Sequence, residues 1–347
     1  GQGALDQTVT PQPPTPPIPP EPQKPTEQVK NSFTTSLTGD YANDKEYQDG
    51  GVLLEDNNKY NFNKFDTTIT TEGSAIATDN KNISLNMNKH SLNLTAQGTA
   101  IAVNGGKVDI NDVKNMTISG KEGSVDVQNS GTVNVHNSGK VTADSNVNVA
   151  GSGTGLTVDG AAEIKGALKA DGGQVTLKDA ATVTGKVSAV NNGSVTINGE
   201  KKAVDVLLQG GMEAGKGGKI TANLITEGSE LQGDLTGSGK AEITLQHADW
   251  NGNNSADLKL NASANTWTGN NSGKLIAELN NVTWNGDNSG NMTMTMDNSQ
   301  WTGNNSGADS HITMSNEAVW TGSNSASGFE LSLNNATWKN KGASSVK

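Results

Sequence analysis

A chain of 347 residues with a net charge of −11, no cysteine and no arginine excludes a disulfide framework and thiol chemistry. The acidic balance also argues against broad electrostatic binding to nucleic acid or an anionic membrane. The 42 glycines, with abundant Asn, Ser and Thr, point to many tight turns between short strands, and no apolar run is long enough to span a bilayer as a helix.

All nine prolines fall between Pro11 and Pro25. Residues 1–30 therefore read as an extended, polyproline II-like spacer, with a PxxP signalling ligand as the alternative. The chain opens at Gly1 with no charged-then-apolar leader, so an export signal is expected to have been removed. Residues 31–66 hold all three tyrosines (Tyr41, Tyr47, Tyr60) together with Phe33, Phe62 and Phe65. This segment reads as an N-terminal cap that covers the open end of a stacked-strand array, with an aromatic ligand site as the alternative.

From residue 67 onward, short alternating apolar triplets dominate. They are Val125-Asp-Val127, Val133-Asn-Val135, Val147-Asn-Val149, Leu156-Thr-Val158, Val175-Thr-Leu177, Val195-Thr-Ile197 and Val204-Asp-Val206. Alternation turns one face inward and one outward, and each triplet runs into Gly, Asn, Asp or Ser, which end strands in turns. Helical periodicity is weak, and the absence of proline after Pro25 suits strands bonded on both sides.

In the last third, over 250–347, a Trp-x-Gly-x-Asn-Ser unit recurs at Trp250, Trp267, Trp284, Trp301 and Trp320, with a degenerate copy at Trp338. A unit this short suits one coil of a parallel β-helix and is too short for paired helices or a propeller blade. The predicted fold is all-β: a right-handed parallel β-helix over 67–347, with about 14 or 15 coils spanning ~70 Å. Gly252, Gly269, Gly286, Gly303 and Gly322 are expected at corners with backbone angles closed to other residues. Asn254, Asn271, Asn288, Asn305 and Asn324 are expected to form an amide ladder, and the tryptophans an aromatic column. Packing of that column inside the coil is the first reading, an exposed platform for sugar rings the second.

The proline-rich tract, the Gly/Asn/Ser/Thr-rich solenoid, the lack of cysteine and the Trp-x-Gly-x-Asn-Ser repeats resemble the passenger domain of a bacterial autotransporter adhesin, of the AIDA-like and UpaB-like type. The resemblance covers about residues 31–347 and rests on repeat style and composition. It implies type V secretion through an outer-membrane β-barrel translocator absent from this chain, so the chain is expected to be a passenger or part of one. It further implies display at the bacterial cell surface. The implied partners are host glycans such as glycosaminoglycans, a matrix protein such as fibronectin, or other copies of the chain in cell–cell aggregation and biofilm.

Parallel β-helices also house polysaccharide lyases and hydrolases. Here the four histidines show no metal-ligand spacing, no nucleophile elbow or phosphate loop occurs, and a lyase's arginine base is missing. A two-carboxylate glycosidase stays open on composition alone. The expected protein is not an enzyme and needs no cofactor or metal; the nonapeptide calcium repeat is absent and the recurrent turn carries one carboxylate, Asp287, with a structural calcium as the lesser alternative. The candidate ligand-binding row comes from coil spacing. Thr157, Thr176 and Thr196 are expected to stack as an outward ladder, with Asp159, Lys178 and Asn198 at the following corner and Asp179 beside them. Such polar groups, repeated every ~4.8 Å, could hydrogen-bond an extended chain lying along the rod. The competing reading is a solvated Thr ladder without a ligand.

Overall fold

The computed structural model describes residues 59–62 and 66–342, with short backbone strands at Ser32–Phe33, Tyr41–Ala42 and Val52–Leu53. The described residues contain no helix and form a parallel β-solenoid of about 13 turns. The proline-rich tract and most of the proposed cap lie outside them. Tyr60 and Phe62 are nonetheless buried, and the strand Lys59–Asn61 already pairs in parallel with Ile76–Asn86.

Three faces build each middle coil. One face runs from Thr67–Thr71 to Thr337–Asn340. A second starts at Gly123–Gln128 and runs through Val147–Ala150, Leu168–Asp171, Val187–Val190 and Met212–Ala214. A third runs from Thr132–His136 to Glu330–Asn334. In the first coils one long strand, such as Thr99–Asn111, serves both the second and third faces. It turns between them at Gly105 and Gly106, with φ of 75° and 81°.

Parallel in-register pairing places equivalent residues directly above one another. On the first face the inward column is aliphatic from Ile69, Leu94, Ile118 and Ala143 to Leu208 and Leu231. It then continues without a break into Trp250 and the other five tryptophans. On the second face the column Val147, Leu168, Val187, Met212 and Leu235 continues as Asn254, Asn271, Asn288, Asn305 and Asn324. The second face has shrunk there to single bridges at the asparagines, and the coil has contracted from 25 residues to 17. A narrower coil needs a wide, flat filler, which the indoles supply. Coils longer than the tryptophan period before Trp250 also explain why there are about 13 turns and not 14 or 15.

The tryptophans stack as expected, with adjacent centroids 4.6–4.8 Å apart and interplanar angles of 2–9°. Trp250, Trp267, Trp284, Trp301 and Trp320 are at most 1% exposed, so packing holds over the sugar-platform reading. Each indole Nε1 donates to a glycine carbonyl one coil earlier, as Trp301 does to Gly286 at 2.8 Å. The asparagine ladder forms as well. Asn271 Nδ2 donates to Asn288 Oδ1 at 2.7 Å and to its own coil's Gly273 carbonyl at 2.9 Å. Both amide hydrogens are thus used in a site shielded from water, where a missing partner would be costly.

Besides the number of turns, two expectations need correction. Gly252, Gly286, Gly303 and Gly322 do not have positive φ. They are glycine because a Cβ there would overlap the glycine carbonyl of the preceding coil and crowd the indole Nε1. The left-handed corner lies elsewhere, between the third and first faces. It is held by His247, Ala264, Asn281, Asn298, Asn316 and Asn335, with φ of 47–59°. Asparagine tolerates this region better than most residues, because its short polar side chain can bond locally. The second correction concerns Val204-Asp205-Val206, which is no strand triplet. The strand is Val206–Leu208, and residues 199–205 form a loop.

Two substitutions follow from these corners. Ala264 sits in the left-handed region at φ 49°, so Ala264→Asn should raise stability by about 1 kcal/mol. Gly286→Ala should lower it by about 3 kcal/mol by forcing two coils apart. Denaturant unfolding followed by tryptophan fluorescence measures both, and the same sign for the two would contradict these assignments.

Candidate functional site

The outward residues of the third face come from the same alternation that buries Leu156, Val158, Val175 and Leu177. Thr157, Thr176 and Thr196 stack in register, as the coil spacing predicts, and the row goes on to Thr221, Glu242 and Lys259. Each of Thr157, Thr176 and Thr196 is half-buried by its neighbours.

The corner row is placed as expected but is engaged internally. Asp159, Lys178 and Asn198 occupy equivalent positions after Val158, Leu177 and Ile197. Lys178 Nζ lies 3.5 Å from Asp159 Oδ1, while Asp159 Oδ2 lies 3.7 Å from His136 Nδ1 and accepts from the Asn137 amide at 3.2 Å. Asp179 Oδ2 lies 3.6 Å from Lys202 Nζ, and its Oδ1 accepts from the Ala180 amide at 2.7 Å. Charges thus alternate from coil to coil and neutralise one another at a half-exposed corner, where each pair contributes little to stability.

Asn198 leaves the set of solvent-facing candidates. It is 0% exposed with φ of 52°. Its Nδ2 donates to the Lys202 carbonyl at 2.9 Å and the Asn223 carbonyl at 3.2 Å, and its Oδ1 accepts from the Lys202 amide at 2.8 Å. Asn223 Nδ2 returns a bond to the Asn198 carbonyl at 2.9 Å. These buried amides pin the 199–205 loop, where the coil lengthens to 25 residues between Asn198 and Asn223.

The pinned loop walls a groove of about 330 Å³. Gly199 and Lys201 form the wall, and Thr221, Asn223, Glu242, Thr244, Lys259 and Asn261 line the floor. Both candidate rows run into it, since Thr196 is followed by Thr221, Glu242 and Lys259, and Asn198 by Asn223, Thr244 and Asn261. Reading Val204–Val206 as a strand hid this loop. The surplus residues between Ile197 and Val206 were the available signal. Among the described residues, no group of three His, Cys, Asp or Glu side chains could hold a metal ion.

Asn198→Ala should free the loop while leaving the rod intact. Trypsin cleavage after Lys201 and Lys202 should then accelerate several-fold, because removing the amide strands polar groups that each cost about 1–3 kcal/mol unpaired. An unchanged cleavage rate would show that Asn198 does not hold the loop.

Compared with family models, curated proteins and solved structures, the chain shows no match, so the geometry of the third face carries the functional reading.

Proposed function

We propose that this chain is the passenger portion of a surface-displayed bacterial adhesin that engages host-surface macromolecules without chemistry. The observation that carries this reading is the third face. Its outward hydroxyl, amide and charged groups are held in register by a stacked backbone that cannot shift one coil relative to the next. A rod of about 13 turns offers one such group per coil, so contacts too weak to matter singly add along an extended ligand. Glycosaminoglycans and a matrix protein such as fibronectin are the partners that the resemblance to autotransporter adhesins suggests. Display at the outer membrane through a translocator domain follows from the same resemblance.

Broad electrostatic attraction is a poor account of such binding. The net charge is −11, and Asp159, Lys178, Asp179 and Lys202 are already paired at the corner. Binding should therefore be governed by hydrogen bonds along the polar row and weaken only slightly with salt, which screens the isolated lysine contacts.

The test is capture of the purified chain on immobilised heparin, chondroitin sulfate and fibronectin across salt concentrations. Saturable binding that falls by less than about threefold between low and physiological salt is the expected outcome. No capture on any of them, from a protein that dimerises as its concentration rises, would replace this reading with self-association and cell–cell aggregation.

A further inference from the structure

We propose that the groove beneath the 199–205 loop is a discrete ligand site for a short sugar segment carrying one anionic group. This rests on the adhesin reading but narrows it from a whole face to one place on the rod.

Four observations converge there. The wall is built and held: Lys201 has a left-handed backbone, φ 56°, fixed by its amide donating to the Asn198 carbonyl at 3.1 Å. A bulky non-glycine residue in that region is uncommon and costs conformational energy, so the pinned loop imposes it. The floor offers a hydroxyl that no protein group uses. Thr244 is 8% exposed as a residue and stands at an outward position between Ile243 and Leu245, and its hydroxyl bonds no protein group among the described residues. The hydroxyl is therefore open to water or to a ligand lying in the groove.

The charges are also uneven. Glu242 is engaged by Lys219, Nζ to Oε1 3.8 Å, whereas Lys201 and Lys259 form no ion pair among the described residues. The groove therefore carries two uncommitted ammonium groups on a chain whose net charge is negative. Finally, its size of about 330 Å³ falls at the lower end of small-ligand sites, and its floor of hydroxyl and amide groups matches the hydroxyl edges of sugar rings. The shared chemistry that Lys201 and Lys259 recognise is an anion, either the carboxylate of a uronic acid or the sulfate of a sulfated sugar.

Calorimetric titration of the whole chain with three disaccharides decides the matter: a carboxylate-bearing one from hyaluronan, a 6-sulfated one from keratan sulfate, and neutral N-acetyllactosamine. At least one anionic disaccharide should bind at least about tenfold more tightly than the neutral one, and Lys259→Ala should lose about tenfold in affinity. Lys201→Ala should lose a similar factor, and Thr244→Val, which keeps the side-chain shape, should lose several-fold. Whichever anionic sugar is preferred names the source of the charge.

The groove is overturned if no disaccharide binds, if neutral and anionic sugars bind alike, or if both lysine variants bind as the parent does. Capture of long glycosaminoglycan chains by a Lys201→Ala/Lys259→Ala variant at parental affinity would reject the groove while sparing the adhesin reading. Disaccharide binding without any polymer capture would do the reverse.

Discussion

The interaction on which everything else depends is the parallel, in-register hydrogen bonding of each coil to the next. Once the backbone amides and carbonyls of successive coils are paired, a residue has no choice of neighbour above and below: it meets its equivalents. Columns of like side chains follow directly. Val and Leu stack on Val and Leu, tryptophan on tryptophan at 4.6–4.8 Å, and amide on amide at 2.7–2.9 Å. The spacing of the rings is thus set by the backbone, and the rings adapt to it.

The same constraint explains how the rod changes its cross-section without breaking. Where the second face falls away, its inward column is taken over by asparagine, because a buried corner with no strand beside it leaves backbone groups that need polar partners. Asn254 bonds the Ala256 carbonyl and amide of its own coil while linking to Asn271 in the next. Across the coil, tryptophan replaces Leu231 and bonds the glycine carbonyl, so glycine, indole and amide form one mutually dependent set. At Trp338 the set degrades. Asn340 stands opposite Gly322, and the last coil is largely exposed.

Function, on the reading proposed above, uses what this rigidity leaves over. Residues pointing inward are committed to packing, and many corner residues to ion pairs or backbone capping. The outward rows are free to vary, and the 199–205 loop is where the chain departs from the repeat to build a concave surface. Asn198 shows how thin the boundary is. It occupies the same position as the solvent-facing Lys178 one coil earlier, yet it is buried because the next seven residues fold over it.

The repeat, the all-β character, the amide ladder and the inward tryptophan column were legible from residue order alone, because stacking is periodic and a period shows in a linear string. The register of Thr157, Thr176 and Thr196 was legible for the same reason. Three features were decided only in three dimensions. Glycine in the Trp-x-Gly unit answers to a carbonyl in another coil, and the left-handed corner lies a few residues ahead of each tryptophan. The groove joins Lys201 to Lys259 across three coil-to-coil steps. Each depends on the distance between atoms far apart in the chain, and a linear period carries no information about how closely two coils approach or which loop folds back across them.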